Sequence, residues 1–200
     1  MDRSADRERD FNAFVMSAKG ETSTTSFQEW AGGDRVTLAI VFTDVVGSTA
    51  LGEEVRDETM NEVRRGHFDQ SRRLIGQFKG REIKTIGDSF MVAFKSVDLA
   101  LDYACALQAG TGHDQVRVRA GIHIGSIQVE EDDAFGGTVN FAARVVGAIK
   151  GAEIWVSDRA KEDIEQHGAS RHRHLSWEEH RDVEMKGFPG RFRLWGVSNC

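Results

Sequence analysis

The sequence predicts an α+β domain with a ferredoxin-like β-α-β-β-α-β core, palm-like in layout, to which C-terminal strands and a helix are added. Short apolar runs of strand length alternate with longer segments whose apolar residues recur at helical spacing. The turn sequence Gly87-Asp88-Ser89 separates two of the apolar runs closely enough for a hairpin. The chain has 200 residues, 40% of them hydrophobic, which suffices for one domain with a substantial core.

The core elements follow in the order strand, helix, strand, strand, helix, strand. Ser96 is suited to cap the second helix and Gly110 to end it. Gly125 is expected to interrupt the last strand, so that residues 127–130 form a separate one. The six core elements are residues 36–43, 52–78, 82–86, 90–94, 96–109 and 116–124.

Further elements follow the core, and a different kind of segment precedes it. Residues 1–33 are rich in charge, Ser, Thr and Gly, and we interpret them as an N-terminal tail or connector before a domain at 34–200. Their only helical signal is a short amphipathic pattern at Phe11, Phe14, Val15 and Met16. After the core we expect a helix at 139–149 ended near Gly151, a strand at 154–156, a short helix after Ser157, and strands near 171–175 and 192–197.

Composition excludes several classes of protein. The formal net charge of −6, from 26 basic and 32 acidic residues, argues against a general nucleic-acid binder. No apolar run approaches the ~18 residues of a membrane helix, and the first residues are too charged for a signal peptide. Cys105 is expected to be a buried thiol and Cys200 a mobile end, in a reducing compartment. We therefore expect a cytoplasmic protein without a nucleic-acid or membrane partner.

Two aspartates are placed to bind divalent cations. Asp44 follows the first apolar strand and Asp88 lies at the tip of the hairpin. In a ferredoxin-like core these strands are neighbours, so both carboxylates can lie at one edge of the sheet. Two such carboxylates suit Mg²⁺, and two metals can clamp the attacking and leaving oxygens of a phosphoryl displacement. The alternative is that Asp44 caps a helix and Asp88 is an ordinary turn residue.

A phosphate contact is expected just after Asp44. Gly47-Ser48-Thr49 opens the first predicted helix. The free N–H groups of a helix N-terminus can receive phosphate. Thr49 is therefore a candidate substrate-binding residue.

Four stretches resemble the class III adenylyl cyclase family. They occur in the family's order and at its spacing, and the resemblance covers roughly residues 36–197. It implies a nucleotide cyclase catalytic domain that converts ATP to 3′,5′-cyclic AMP and pyrophosphate, by attack of the ribose 3′-OH on the α-phosphate. It also implies two ions of Mg²⁺ or Mn²⁺ per active site. The matching stretches are residues 42–49, 84–91, 119–125 and 133–144.

The resemblance implies a role for each matching residue, at sites shared across a homodimer. The metal aspartates come from one chain, and the base-reading and transition-state residues come from the other. The implied roles are metal binding for Asp44, Asp88 and the carbonyl of Val45, adenine reading for Lys84 and Asp133, ribose orientation for Asn140, transition-state stabilisation for Arg144, and triphosphate binding for Arg119.

The chemistry of these residues fits the implied roles. A lysine donor and an aspartate acceptor complement N1 and N6 of adenine, whereas guanine presents the reverse pattern. Asn140 and Arg144 are four residues apart on a predicted helix and share one face. The alternatives are that Lys84 is an exposed strand residue, Asp133 a loop residue and Arg144 a solvated helix charge.

One stretch departs from the family pattern. Many relatives carry a late Lys-Gly-Lys-Gly stretch whose second lysine contacts the triphosphate. Here the stretch is Lys186-Gly187-Phe188-Pro189, so Phe188 stands in the position of that lysine. Whether Lys186 substitutes for it stays open.

Three other functions compete with an adenylyl cyclase. A diguanylate cyclase is suggested by Gly32-Gly33-Asp34, but this signature precedes the first strand and lacks the following Glu-Phe. A guanylate cyclase on the same scaffold is disfavoured by Lys84 and Asp133. A non-catalytic cyclase-like regulatory module would be expected to lack metal or transition-state residues, which this sequence keeps. His123 is interpreted as structural, and the sequence identifies no regulatory partner.

Overall fold

The computed structural model of the chain describes residues 25–47 and 57–200, and the side chains of residues 57–60 are outside this description. Within those ranges helices and strands alternate around one sheet. In chain order the elements are α1 (Phe27–Ala31), β1 (Arg35–Val45), α2 (Asp57–Gln77), β2 (Arg81–Ile86), β3 (Ser89–Phe94), α3 (Val97–Ala109), β4 (Val118–Glu130), β5 (Asp133–Phe135), α4 (Gly137–Ala148), β6 (Ile154–Ser157), α5 (Asp158–Asp163), a π-helical turn (Ile164–Gly168), β7 (Ser176–Met185) and β8 (Phe188–Ser198).

The sheet confirms the ferredoxin-like core. Its strands lie in the order β2-β3-β1-β4-β6-β8-β7, and β5 pairs with β4 off this path. The first four of these, with α2 and α3, form the β-α-β-β-α-β unit, in which β1 pairs antiparallel with both β3 and β4. The C-terminal strands extend the sheet beyond β4, which pairs parallel with β6.

Helices cover both faces of the sheet. On β1, Ala39 and Val41 pack in a cluster with residues of α2 and α3. The alternate residues Ile40 and Phe42 pack in a second cluster with residues of α1 and α4. A strand buried on both faces reads as a continuous apolar run rather than as an alternation, which is why this segment was recognisable in the sequence.

The expected break at Gly125 was wrong, because β4 runs unbroken from Val118 to Glu130. Gly125 lies opposite Leu38 in the β1–β4 ladder. A Cβ at Gly125 would lie 2.5 Å from Oγ1 of Thr138 on α4. The glycine therefore permits close packing of α4 on the strand and does not mark a turn.

A second expected strand was misplaced. Residues 171–175 form turns, and the strand β7 begins only at Ser176. Backbone hydrogen bonds of helical-turn type hold this segment, for example from the His172 N–H to the Gly168 carbonyl at 3.2 Å.

The predicted connector contains an ordered helix in its described part. Ser26 caps α1, and Phe27 is 1% exposed in the cluster below α4. The boundary between connector and domain at residue 34 stays a prediction, and the helical pattern at Phe11 to Met16 lies outside the described residues.

The two cysteines are joined, so the expectation of a buried free thiol and a mobile end was wrong. Cys105 and Cys200 form a disulfide between residues 95 apart in sequence, with Cα atoms 5.1 Å apart. Val197 near the end of β8 packs in the same cluster as Leu101 and Ala104 of α3, which brings Cys200 to Cys105. Among the described helices, none combines the length and apolar character needed to cross a bilayer.

Candidate active site

The structure places Asp44 and Asp88 at one edge of the sheet. Asp44 lies near the end of β1, and Asp88 lies in the two-residue turn that joins β2 to β3. Ser89, the next residue, donates its hydroxyl hydrogen to Oδ1 of Asp44 at 2.8 Å. Gly87 has φ +66°, a left-handed conformation that glycine adopts without strain. The hairpin tip therefore lies beside the end of β1, as the topology predicted.

Arg119 contacts Asp44 directly. The two residues are opposite each other in the β1–β4 ladder. Arg119 Nε donates to Asp44 Oδ2 at 2.8 Å, and Nη2 donates to the same oxygen. Arg119 Nη1 donates to the Ile149 carbonyl at 2.6 Å, just after α4. The Arg119 guanidinium thus balances the negative charge of Asp44 in this structure. The sequence did not predict this contact.

The donor set at this edge fits a hard divalent cation. Asp44 and Asp88 supply carboxylate oxygens, and Val45 carries a backbone carbonyl at the same strand end. Within residues 25–47 and 57–200, no group of three or more His, Cys, Asp or Glu side chains is arranged for a metal. Mg²⁺ binds through one or two carboxylates and takes its other ligands from phosphates and water, so this small set is of the right kind.

Lys84 and Asp133 form an ion pair, although one lies on β2 and the other on β5. Lys84 Nζ donates to Oδ1 and Oδ2 of Asp133 at 2.9 and 2.7 Å. The side chains are 41% and 33% exposed, so a ligand can reach both. Sequence reasoning paired these two residues by resemblance alone, and the structure brings them into contact.

Two exposed apolar side chains beside this pair were missed in the sequence. Ile86 is 58% exposed and Phe135 is 45% exposed. Each lies two residues after one member of the pair, and residues two apart on a strand point to the same side. Lys84 Nζ lies 5.8 Å from the centroid of the Phe135 ring. The hydrogen-bonding pair is therefore flanked by apolar surface.

Helix α4 presents Asn140 and Arg144 outward. Both are exposed, whereas Ala142 and Val145 on the opposite face are fully buried. A Cβ at Gly121 of β4 would clash with the backbone of Val146, so glycine lets this helix lie close on the sheet. The exposed face is therefore fixed in direction. Thr49 lies outside the described residues.

The model of the family described as "Adenylate and Guanylate cyclase catalytic domain" matches residues 33–199. This chain belongs to that family. The match confirms the resemblance seen in the four sequence stretches, and it identifies the edge with Asp44 and Asp88 as part of a cyclase catalytic domain.

Individual relatives agree with the family. An adenylate cyclase of Streptomyces coelicolor is 31% identical over 129 residues, which cover 64% of this chain and 34% of that protein. Two solved structures superpose with a TM-score of 0.72 each. One, of adenylate cyclases from Trypanosoma brucei in their monomeric state, is 25% identical and covers 80% of this chain and 87% of its own. The other, an adenylyl cyclase from P. aeruginosa, is 21% identical, covers 83% and 95%, and supports the fold.

The cyclase domain spans only part of its curated relatives. It covers 34% of the Streptomyces protein, 6% of an adenylate cyclase of Mycosarcoma maydis and 23% of a putative adenylate cyclase of Rhizobium meliloti.

In this cyclase domain Phe188 serves as an anchor. Its ring packs edge-on against Phe141 of α4, with centroids 5.2 Å apart and planes at 81°. Phe192 contacts the same ring at 5.2 Å. Lys186 is exposed beside Gly187, which has φ +86° at the turn. Phe188 thus fixes the β7–β8 hairpin on the helix of Asn140, and of the two side chains Lys186 is the exposed one.

His123 packs under the same helix. Its ring lies 4.4 Å from the Phe141 ring, and Nδ1 is 2.7 Å from Oγ of Ser157. Burial lowers the pKa of His123 from 6.5 to about 4, and the charge of Arg159 adds to the effect. The imidazole is therefore neutral at neutral pH, in agreement with a structural role.

We expect His123 to make the domain less stable in acid. Because its pKa is lower in the folded state than in the unfolded state, the unfolded chain binds more protons between pH 6.5 and about 4. The free energy of unfolding should fall by up to about 3 kcal/mol over that interval through this residue. Urea unfolding at several pH values should show a shallower pH dependence for His123→Gln than for wild type. The exposed His174→Gln variant should follow wild type, and parallel curves for His123→Gln would contradict the assignment.

Proposed function

We propose that this domain is an adenylate cyclase that converts ATP to 3′,5′-cyclic AMP and pyrophosphate. The observation that carries the proposal is the contact between Lys84 Nζ and the Asp133 carboxylate, at 2.7 and 2.9 Å, on an accessible surface. A donor beside an acceptor complements N1 and N6 of adenine. The relatives named adenylate cyclase support the same substrate.

The adenine would insert between the two charged groups. Lys84 would then donate to N1 and Asp133 would accept from the N6 amine, so each keeps a partner after the ion pair separates. Ile86 and Phe135 supply exposed apolar surface for the faces of the purine ring. Burial of that surface against the base is favourable because it removes apolar area from water.

The metal edge lies at the end of β1, beside the β2–β3 turn. There the carboxylates of Asp44 and Asp88 and the Val45 carbonyl would hold divalent cations, Mg²⁺ or Mn²⁺, two per site. When bound, such ions neutralise the triphosphate and favour ionisation of the attacking hydroxyl. Arg119 contacts Asp44 in the ligand-free chain. If a cation binds this carboxylate, Arg119 loses its partner, and its guanidinium would then be available to contact the triphosphate.

Asn140 and Arg144 complete the site in this proposal. Asn140 orients the ribose so that its 3′-OH faces the α-phosphate. Arg144 stabilises the negative charge that grows on the phosphorane in the transition state. Both are exposed on α4, so a second copy of the chain can supply them to the metal edge of the first. A homodimer with two equivalent sites follows from this arrangement.

The direct test is to incubate the purified domain with ATP or GTP and Mg²⁺ or Mn²⁺, and to identify the products by mass. We expect cyclic AMP and a kcat/KM for ATP that exceeds that for GTP by at least about tenfold, because guanine would leave buried polar groups unpaired. Asp133→Asn should narrow this ratio, because the amide can donate to guanine O6.

The exposed variant Asp114→Asn is the matched control and should keep the wild-type ratio. Comparable kcat/KM values for the two nucleotides in the wild-type domain would overturn the substrate assignment. They would leave the family membership intact, since the family includes guanylate cyclases.

A further inference from the structure

We propose that α1 positions Lys84 and Asp133 relative to each other, through hydrogen bonds to the positioning residues Asp132 and Arg81. The proposal rests on the function proposed above and deepens it, because it concerns how this chain keeps its adenine-reading pair aligned. It assigns a role in specificity to residues 25–31, which their composition alone places in a tail or connector.

The pair needs support because the sheet does not align it. Lys84 lies on β2, an edge strand whose described partner is β3. Asp133 lies on β5, a three-residue strand that pairs only with β4 among the described strands. β3 and β1 separate β2 from β4 in the sheet, so among the described strands no backbone ladder joins β2 directly to β5. Their half-exposed ion pair contributes little rigidity by itself.

Helix α1 bridges these two distant strands. The Phe27 N–H donates to Oδ1 of Asp132 at 3.0 Å, one residue before Asp133. On the other side, Arg81, which lies three residues before Lys84, donates from Nη2 to the Thr25 carbonyl at 2.7 Å. The start of α1 is therefore hydrogen-bonded to both segments that carry the adenine-reading pair.

Apolar packing reinforces the two hydrogen bonds. Phe27 is 1% exposed and lies in one hydrophobic cluster with Ile83 and Ala134. Ile83 precedes Lys84, and Ala134 follows Asp133. A shift of α1 would therefore disturb the immediate neighbours of both residues.

Helix α1 is itself held in place, as its positioning role requires. A five-residue helix is unstable alone, but Ser26 and Glu29 form a reciprocal capping box at its start. Gly32 ends it in a left-handed conformation, and its N–H donates to the Gln28 carbonyl at 2.9 Å. The Trp30 ring stacks with Phe27, and its centroid lies 5.3 Å from Lys95 Nζ.

The experiment compares Asp132→Ala with Asp132→Asn, because asparagine keeps an Oδ1 acceptor for the Phe27 N–H. Asp132→Ala should reduce the ratio of kcat/KM for ATP over GTP by about three- to tenfold, the effect of one lost hydrogen bond. The loss should appear as a higher KM for ATP with kcat within about twofold of wild type, since base contacts act equally on ground and transition states. Asp132→Asn should stay within about twofold of wild type in this ratio.

A second pair of variants tests the contact between α1 and β2. Arg81→Ala should reduce the ATP-over-GTP ratio in the same direction, and Arg81→Lys should restore part of it because an ammonium can still donate to the Thr25 carbonyl. Glu131→Gln, a charge change in the same exposed loop as Asp132, is the control and should leave the ratio unchanged.

A general loss of stability would lower kcat for both nucleotides together and leave the ratio unchanged, which would overturn the proposal. Equal impairment of Asp132→Ala and Asp132→Asn would also overturn it. If the wild-type domain makes no cyclic AMP, the proposed function fails instead. The positioning role of α1 is then tested by hydrogen exchange. Asp132→Ala should speed exchange of the amides in residues 27–31 and 133–135, and unchanged exchange would refute this role.

Discussion

Replacement of Asp44 or Asp88 by asparagine is expected to abolish cyclic AMP formation, by about a thousandfold or more in kcat, while the fold is retained. Metal clamping of a phosphoryl transfer supplies several kcal/mol of transition-state stabilisation, and each 1.36 kcal/mol corresponds to about a tenfold change in rate. Asparagine has nearly the shape of aspartate, and at position 44 it keeps an oxygen acceptor for the Ser89 hydroxyl. It removes the charge that holds the cation.

The two variants separate metal binding from the local ion pair. Asp44→Asn also leaves Arg119 without its carboxylate partner, whereas Asp88→Asn does not alter that contact. Thermal unfolding should therefore show a larger loss of stability for Asp44→Asn, but both should be inactive over a titration with Mn²⁺. Asp69→Asn, on the exposed face of α2, is the control and should be active. Turnover near the wild-type level in either site variant would refute the metal assignment.

The central strands and helices could be predicted because their signals are local. Ser96 accepts a hydrogen bond from the Leu99 N–H at 3.3 Å, and Gly110 follows α3 as its C-cap. Capping residues and apolar periodicity lie within a few residues of the element that they define. Helix α2 was expected over residues 52–78 and is described from Asp57 to Gln77.

Features that depend on contacts between distant segments could not be predicted in this way. The glycine at position 125 looks like a break in the sequence, and only the approach of α4 reveals why it is there. The Asp44–Arg119 pair follows from the β1–β4 register, which sequence spacing does not fix. The Cys105–Cys200 disulfide joins residues 95 apart. The three-residue strand β5 is too short for a periodic signal.

The candidate site shows the same difference between features that the sequence indicates and features that only the fold reveals. The roles of Lys84 and Asp133 came from family resemblance, and the structure adds their contact and their apolar surroundings. Phe188 was recognised as a departure from the family pattern, but its packing against Phe141 required the fold. Gly32 and Gly33, which suggested a diguanylate cyclase signature, instead follow α1, where Gly32 has φ +94° at the helix end.

Two inactive variants are expected to restore activity to each other if the site is shared between chains. In the proposed homodimer, each site takes Asp44 and Asp88 from one chain and Asn140 and Arg144 from the other. When Asp44→Asn and Arg144→Ala are combined in a mixed dimer, one site collects both lesions and the other collects none. A statistical mixture is about half heterodimer, so activity should return to about a quarter of the wild-type level.

A second mixture provides the matched control. Asp44→Asn and Asp88→Asn both alter the metal edge, so in their mixed dimer every site carries one lesion and activity should stay near zero. Co-expression with two different affinity tags isolates the heterodimers. Measured per heterodimer, the Asp44→Asn/Arg144→Ala pair should then form cyclic AMP at about half the wild-type rate, because one of its two sites is intact. Asn140 and Arg144 are exposed on α4, whereas Ala142 is buried against the sheet, so a neighbouring chain can reach both. Inactive Asp44→Asn/Arg144→Ala heterodimers would refute the two-chain site and require both sets of residues to meet within one chain.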